Sequence, residues 1–176
     1  MLIELLTLII VILTIIFLLW SFTLTILGYT PFLPTTKYAV DKILQHADIK
    51  KGDKVYDIGA GDGRLIHNAE KRYGAKAVGF EINPFIYYLA RFNQVILGWK
   101  GKIIRANMLK QNLADADCIV CYMTPEIMTK FQNKFEKNLK KGTRILSYAF
   151  KIGTMNPVKI IPKDKKTSTL WIYKVG

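Results

Sequence analysis

The stretch VYDIGAGDGRLIHNAEKRYGAKAVGFEINP, residues 55–84, decides the fold. Residues 54–59 are predicted to form a strand that ends in a glycine-rich turn. An amphipathic helix follows at 63–73 and ends at Gly74, and a second strand is predicted at 75–82. A strand, a glycine turn, a helix and another strand in this order predict a parallel βαβ unit.

The alternation of strand and helix continues to the end of the chain. Asn83 before Pro84 is typical of a helix start, and that helix is expected to stop near Gly98. Three further strands are predicted, at 102–107, 117–122 and 143–149, with a helix from Thr124 to Gly142 between the last two. Two strand-like runs, 157–161 and 168–175, end the chain; the lysine-rich run 163–166 between them is interpreted as a solvated hairpin loop. We therefore expect an α/β fold with a mostly parallel sheet and an antiparallel terminal pair.

An apolar leader precedes this pattern, because residues 5–27 contain no charged side chain over 23 positions. As a helix the leader would be about 34 Å long, enough to cross a hydrocarbon core of about 30 Å. It has neither the basic start nor the clear cleavage site of a signal peptide. We expect a transmembrane anchor at 1–29 with Tyr29 at the interface, a linker and first helix on the substrate side at 30–53, and a core at 54–176.

Charge is distributed unevenly along the chain. All 26 Lys and Arg residues follow residue 36, together with 12 of the 13 acids, so this part carries a net charge of +14. The basic flank of the leader lies on its C-terminal side, which predicts a cytoplasmic location for the part that follows. Such a charge suits nucleic acid or an anionic membrane surface, although a merely solvated lysine-rich surface stays open. For a domain that is tethered to a bilayer, an anionic membrane surface explains this charge with fewer assumptions than nucleic acid does.

The two cysteines, Cys118 and Cys121, are too few for a disulfide scaffold or a four-cysteine zinc site. They lie in a strand-like run, where residues three apart point to opposite faces. We therefore expect two free thiols and no metal site.

The glycine-rich turn DIGAGDG, residues 57–63, lies where open α/β sheets bind ligands. Glu81, twenty residues past Gly61, is expected at the tip of the next strand, where a carboxylate can accept hydrogen bonds from both hydroxyls of a ribose. The dinucleotide fingerprint is not met, because Arg64 stands where its third glycine would be, and the chain has no P-loop. Asp62 is interpreted mainly as the N-cap of the helix that follows.

These residues resemble a known family. The pattern D-x-G-x-G-x-G at 57–63 resembles motif I of the seven-β-strand S-adenosylmethionine methyltransferases, and Glu81 resembles their second-strand acid. The whole stretch 55–84 and the segment PFLPT at 31–35 resemble the small membrane-anchored lysine methyltransferases related to the mitochondrial enzymes that modify the ATP synthase c-subunit and the adenine nucleotide carrier. The resemblance implies a Rossmann-like seven-stranded sheet, S-adenosyl-L-methionine as cofactor, and a lysine of a membrane or membrane-associated protein as methyl acceptor.

The resemblance also implies a set of site residues. The residues implied for cofactor binding are Asp57, Gly59, Ala60, Gly61, Glu81, Ile82, Asn107 and Met108. The residues implied to orient the acceptor amine are Tyr122 and Thr124, with Pro34, Thr35 and Pro125 on the substrate side. Asn107 stands where the family typically has an Asp that meets the adenine amino group. No general base is required, because the methyl donor is already activated and alignment is most of the work.

Three other functions stay open at this point. The chain could methylate a membrane lipid or another small molecule, or it could be a non-catalytic binding module tethered to the membrane. A nucleic-acid methyltransferase is supported by charge alone. Base and amide N-methyltransferases of similar fold usually carry Asn/Asp-Pro-Pro-Tyr after the fourth strand, where this chain has YMTP at 122–125. The sequence therefore makes nucleic acid the less favoured partner.

Overall fold

The computed structural model describes residues 2–26 and 32–176. The chain divides into two compact units, Met1–Pro31 and Phe32–Gly176. The second unit contains the whole sheet and is described below by itself.

The first unit contains helix α1, Leu2–Ile26. The hydroxyls of Thr7 and Thr14 each donate a hydrogen bond to the carbonyl oxygen four residues earlier, which satisfies these polar groups within the helix. Among residues whose side chains the structure describes, no helix is both long and apolar enough to cross a membrane. Leu27, which ends the predicted span, and Tyr29, its predicted interfacial aromatic, lie outside the described residues.

The second unit is a seven-stranded sheet with helices on both faces. Its helices are α2 Lys37–His46, α3 Arg64–Tyr73, α4 Pro84–Leu97 and α5 Pro125–Asn138. Its strands are β1 Lys54–Ile58, β2 Lys76–Glu81, β3 Lys102–Arg105, β4 Cys118–Cys121, β5 Arg144–Tyr148, β6 Lys159–Ile161 and β7 Leu170–Lys174. The strand order is β3-β2-β1-β4-β5-β7-β6; β1 to β5 are parallel, and β7 is antiparallel to both of its neighbours. The predicted sheet and its antiparallel terminal pair are confirmed.

Local capping explains where most helices begin and end. The Thr36 hydroxyl accepts a hydrogen bond from a backbone N–H in the first turn of α2 at 3.2 Å, and Asn83 caps α4 with Pro84 at the first helical position. Gly74 and Gly98 adopt left-handed backbone conformations and end α3 and α4. The cap at Asn83 and the glycine ends are the ones that the sequence predicts, and Thr36 is one of the two neighbouring threonines, Thr35 and Thr36, that could have capped α2.

Two predicted helix ends are wrong. The N-cap of α3 is Gly63, with φ +82°, and not Asp62. The Asp62 carboxylate instead accepts from the backbone N–H of Arg64 at 3.3 Å and from its guanidinium, so an ion pair takes the place of a side-chain cap. Helix α5 ends at Asn138 rather than at Gly142, because Leu139 already has an extended backbone.

The core consists of two layers, one on each face of the sheet. Strand alternation places Val55 and Cys118 in the layer beneath α2, α3 and α4, and Ile58 and Cys121 in the layer beneath α5. Both thiols are free and fully buried, and burial raises the pKa of each to about 12. The prediction of two unpaired thiols on opposite faces is therefore confirmed.

Candidate active site

The turn after β1 requires glycine at two positions. Gly59 and Gly61 have φ values of +81° and +57°, a region that side chains other than glycine adopt at a cost. A Cβ atom at Gly59 would lie 2.6 Å from the sulfur of Met123, and one at Gly61 would lie 2.7 Å from a ring carbon of Phe32. The backbone of this turn is thus pressed against its neighbours and left bare on the side where a ligand would approach.

Glu81, at the end of β2, holds the same turn. Its carboxylate is 9% exposed, and its two oxygens accept hydrogen bonds from the backbone N–H of Gly61 at 3.0 Å and of Asn83 at 2.8 Å. Burial raises the pKa of Glu81, while these backbone hydrogen bonds oppose the rise. The N–H of Ala60 donates to the carbonyl of Phe80 at 3.0 Å, which joins the turn to β2 a second time. The backbone of Ile82 also acts on this carboxylate, which still keeps acceptor capacity for a ligand hydroxyl.

Among the acids at the carboxyl edge of the sheet, Asp57 has the fewest hydrogen-bond partners. It is 6% exposed, and no side chain or backbone group in the described part of the chain hydrogen-bonds to its carboxylate. Burial, then the charge of Glu81, then the charge of Asp62 raise the pKa of Asp57 to about 7. A buried carboxylate without a partner is costly. A positively charged group placed beside it would relieve that cost, and the amino group of a methionine is such a group.

The segment after β3 forms the rest of the carboxyl edge of the sheet on the side of β1 and β2. Asn107 caps a single 3₁₀ turn, Met108–Lys110, by accepting the N–H of Leu109 on its side-chain oxygen at 3.0 Å. Met108 is buried, and Ile82, after β2, is half-buried. The amide oxygen that is expected to meet an adenine amine therefore already accepts one backbone hydrogen bond and has one lone pair left.

A second recess opens after β4 and β5. The ring of Tyr122 meets Tyr148 edge-on at 5.2 Å between centroids and stacks on Phe150 at 6.5 Å. Ala149, with φ +69°, makes the turn that brings Phe150 over Tyr122, and the Ser147 hydroxyl donates to the Phe150 carbonyl at 2.6 Å. This recess, hereafter the acceptor cleft, has a volume of about 410 Å³. Its walls are Pro34, Thr35, Thr36, Tyr122, Tyr148 and residues 163–168.

Three of the residues predicted for the acceptor side therefore lie together in this cleft, namely Pro34, Thr35 and Tyr122. Thr124 and Pro125 do not line it. Thr124 begins α5 through its backbone, whose carbonyl accepts the N–H of Met128 at 3.0 Å, and its hydroxyl makes no capping bond. Pro125 is the exposed first residue of the same helix.

The sequence analysis missed the part played by Lys42. Its ammonium group is 8% exposed and donates to the carbonyls of Pro162 at 2.6 Å and Ser168 at 2.9 Å, and to the Thr167 hydroxyl at 2.9 Å. The interpretation of 163–166 as a solvated loop was therefore incomplete: its side chains face water, but its ends are fastened to α2 and form a wall of the cleft. The available signal was a lysine inside the otherwise apolar stripe of α2.

Arg64 is a second residue that the sequence analysis did not single out. Its guanidinium donates to the carbonyl of Thr35 at 2.6 Å and to the carboxylate of Asp62 at 2.8 Å. The start of α3, next to the glycine turn, is thus joined to the segment that forms one wall of the acceptor cleft. Within the described residues, no three or more His, Cys, Asp or Glu side chains are grouped so as to hold a metal ion.

The strand order, the antiparallel β7, the glycine turn after β1 and the acid at the end of β2 together define a seven-stranded S-adenosylmethionine-dependent methyltransferase. The chain belongs to the family described as the ANTKMT methyltransferase domain, whose model matches residues 57–159. The predicted family, enzyme class and cofactor are confirmed.

Two relatives illustrate the family. The chain is 31% identical to the protein-lysine N-methyltransferase of Saccharolobus islandicus (strain REY15A) over 84% of this chain and 95% of that protein. It is 29% identical to the lysine N-methyltransferase of Mus musculus that is named for the c-subunit of ATP synthase, covering 83% of this chain and 58% of the mouse protein. The match therefore spans nearly all of the Saccharolobus relative but just over half of the mouse one.

Among solved structures, the chain is similar to an RNA methyltransferase from Salinibacter ruber in complex with S-adenosyl-L-homocysteine. The TM-score is 0.76 and the identity 28%, over 81% of this chain and 94% of that one. A precorrin-6y C5,15-methyltransferase from Geobacter metallireducens GS-15 shares the fold, with a TM-score of 0.64 and 17% identity over 81% of this chain and 89% of that one.

Proposed function

We propose that the chain is a membrane-anchored enzyme that N-methylates a lysine of a membrane or membrane-associated protein. One observation carries the proposal: an open, aromatic-walled cleft lies on the same sheet edge as the glycine turn and the unpartnered carboxylate of Asp57. A long, flexible amine can enter such a cleft from the side of β4 while the cofactor lies over β1 and β2. The names of relatives that match over more than four-fifths of the chain support lysine as the acceptor.

In this proposal, different residues bind different parts of S-adenosylmethionine. Asp57 receives the amino group of the methionine part, and the backbone of Gly59, Ala60 and Gly61 lies along that part. Glu81 accepts the ribose hydroxyls on its free lone pairs. Ile82, Asn107 and Met108 surround the adenine. When bound, the cofactor supplies a methyl group already activated on a sulfonium.

The remaining work is to present a neutral amine in line with that methyl group. A lysine has a pKa of about 10.4, so removing its proton at neutral pH costs about 4–5 kcal/mol. Lys163, Lys165 and Lys166 lie on the rim of the acceptor cleft, and like charges lower the pKa of an incoming ammonium. The hydroxyls of Tyr122 and Thr35 can then orient the free amine. The proton lost by the incoming ammonium would go to water. In the displacement the nitrogen–carbon bond would form as the carbon–sulfur bond breaks, leaving a methylammonium ion on the lysine and S-adenosylhomocysteine as the second product.

The membrane part of the proposal rests on the leader. Residues 5–27 carry no charge, and every basic residue follows on one side of them. The proposed organisation is an anchor at 1–29, a linker and first helix bordering the substrate side at 30–53, and a methyltransferase core at 54–176 on the cytoplasmic side. Tethering would raise the local concentration of lysines in cytoplasmic loops of membrane proteins.

The test of function is transfer of radiolabelled methyl groups onto membranes prepared from cells that lack this protein. The purified full-length chain is added, and label is sought in protein bands, extracted lipid and RNA. We expect label in a protein band that yields methyllysine on hydrolysis, and none with the Gly61→Arg variant. Label in lipid, or in RNA, would contradict the proposed acceptor; the RNA arm is included because the Salinibacter ruber structure is named an RNA methyltransferase.

The test of location is protease protection. A C-terminal epitope on the full-length chain should stay in the membrane fraction after a high-salt wash. It should resist protease in intact cells and be lost once the cells are permeabilised. Digestion in intact cells would contradict the cytoplasmic orientation, and release by salt would contradict the anchor.

A further inference from the structure

Helix α4 packs against the sheet with a side that mixes apolar and polar residues, and it leaves a wholly apolar stripe outside. Ala90 is its one fully buried residue, and Asn93 and Gln94 also face inward. The Asn93 amide donates to the carbonyl of Asp62 at 3.1 Å, and the Gln94 amide donates to the carbonyl of Gly101 at 2.6 Å. These hydrogen bonds fix which side of the helix faces the protein, so its outward side is set as well.

The outward side of α4 is a continuous apolar stripe. Tyr88 is 64% exposed, Phe92 63%, Val95 76% and Ile96 66%, and Leu89 lies between them at 41%. Their spacing of three and four residues places them on one helical face. Single exposed apolar residues are ordinary, but a contiguous set of this size marks a surface that binds something.

The segment that carries this stripe is basic, and the acids near it belong to other segments: Asp41 and Asp62 line a pocket with Asn93 and Leu97 of α4. Between Ile82 and Ala114 the chain contains no Asp or Glu but five basic residues: Arg91, Lys100, Lys102, Arg105 and Lys110. Within the described part of the chain, none of the five forms a salt bridge. The nearest acid in contact is Glu70, whose carboxylate accepts the backbone N–H groups of Lys100 and Gly101.

We propose that the outward face of α4 lies on the surface of an anionic lipid bilayer, with Tyr88, Phe92, Val95 and Ile96 inserted at the level of the acyl-chain boundary. Exposed aromatic and aliphatic side chains beside unpaired Arg and Lys are the composition of helices that lie in the membrane interface. A second copy of the chain fits less well, because a two-fold contact would place the same Arg and Lys residues, which lack ion-pair partners within the described residues, against each other.

This contact goes beyond the proposed function, since it concerns neither the acceptor nor α1. It has a consequence for the site. Helix α4 starts at the carboxyl edge and runs back antiparallel to the strands, as crossover helices do. A bilayer lying along α4 is therefore parallel to the strands, and the carboxyl edge opens sideways along the membrane.

The test measures how deeply one side chain on the outward face of α4 is immersed in the bilayer. Val95→Cys and, as a matched control, Val158→Cys are spin-labelled in the full-length chain; Val158 is 65% exposed and precedes β6, at the opposite edge of the sheet from β3. Cys118 and Cys121 are fully buried and do not react. The protein is reconstituted into vesicles of phosphatidylcholine and phosphatidylglycerol. Collisions of each label with oxygen, which partitions into lipid, and with a water-soluble nickel chelate are then compared.

The label at Val95 should collide with oxygen several-fold more often than with the chelate, and the label at Val158 should show the reverse. Lys100→Glu with Arg105→Glu should shift the Val95 label toward the chelate, whereas Lys76→Glu, on the exposed start of β2, should not. Calorimetry with the cofactor verifies that each variant is folded. Equal access of water to both labels would overturn the proposal. Protection of Val95 from both reagents with spin–spin broadening would also overturn it, in favour of a second copy. Neither readout depends on methyl transfer, so failure of the proposed acceptor would leave this result unchanged.

Discussion

The two halves of the carboxyl edge of the sheet are assembled from different amounts of chain. Beside β1 and β2, the polar groups come from residues 57–83 and from Asn107 after β3, and the hydrogen bond from Gly61 to Glu81 spans only twenty positions. Beside β4 and β5, the acceptor cleft combines residues 34–36 with 163–168, and the hydrogen bond from Lys42 to Pro162 spans 120 positions.

This difference between the two halves of the edge indicates which residues tolerate substitution and which do not. The first half is a compact turn whose backbone leaves no space for side chains at Gly59 and Gly61. The second half is a loop fastened at its ends, and its exposed lysines can change without disturbing either strand. In the proposed function, the cofactor binds beside β1 and β2, hereafter the rigid half. The acceptor binds beside β4 and β5, hereafter the adjustable half.

Replacing Gly61 with Arg should have the largest effect, because it places a side chain in the rigid half. The substitution adds left-handed strain of about 1–2 kcal/mol and forces the new Cβ into the ring of Phe32. We expect calorimetry to show a loss of affinity for S-adenosylmethionine of at least about 100-fold. Gly142→Arg is the matched control: its φ is +87°, yet nothing lies within 4 Å of the added Cβ. Full cofactor binding by Gly61→Arg would show that this turn does not hold the cofactor.

The pH dependence of cofactor binding should come next in size. Burial raises the pKa of Asp57 from 3.8 to about 7 in the folded chain, so the stability of the free protein falls as pH rises between these two values. A bound ammonium group favours the charged carboxylate, and binding below pH 7 must therefore release a proton. Affinity should then weaken on acidification by at most about tenfold per pH unit and level off above pH 7.

Asp57→Asn tests the assignment of this pH dependence. The variant should bind the cofactor more weakly at pH 8 and lose most of the slope below pH 7, as measured by calorimetry across that range. Glu81→Gln is the informative companion, because the charge of Glu81 contributes to the raised pKa of Asp57. It should move the slope to lower pH rather than remove it. An unchanged slope in Asp57→Asn would remove this carboxylate from the cofactor site.

The features that the sequence predicts correctly are those that depend on residues close together in the chain. The sheet, the caps at Thr36 and Asn83 and the glycine ends of α3 and α4 follow from neighbouring residues, and all are confirmed. The glycine turn and Glu81 were found for the same reason. Their proposed contacts with the cofactor stay predictions.

Features that depend on distant packing were missed. A lysine in the apolar stripe of α2 signals a buried ammonium group, but it does not show that the group will donate to the end of a loop 120 residues away. Asp62 could equally have been a cap or an ion-pair partner. The apolar residues of α4 predicted a helix but not that their side would face outward. That orientation is decided by the hydrogen bonds of Asn93 and Gln94 to backbone carbonyls elsewhere.

Lys42→Met should act on the adjustable half alone. Removing the ammonium group takes away the donor for the carbonyls of Pro162 and Ser168, which lie in exposed and half-buried residues, at a net cost of about 1 kcal/mol per lost hydrogen bond. We expect KM for the acceptor to rise about tenfold while the cofactor dissociation constant stays unchanged. Lys42→Arg should restore much of the loss, and Lys141→Met, at an exposed lysine that does not line the cleft, serves as the control. A matching loss of cofactor affinity would show that the two halves are not separable.

Tyr122→Phe should have the smallest effect, and it distinguishes packing from orientation at the acceptor cleft. The phenyl ring keeps the edge contact with Tyr148 and the stacking on Phe150, so stability and the shape of the cleft should be preserved. Only the hydroxyl is lost. If it orients the amine, kcat should fall about two- to tenfold at unchanged cofactor affinity, the equivalent of one net hydrogen bond. Thr124→Val should change kcat less, since Thr124 does not line the cleft. A Tyr122→Phe enzyme with full activity would leave Tyr122 as an aromatic wall and place orientation of the amine with Thr35.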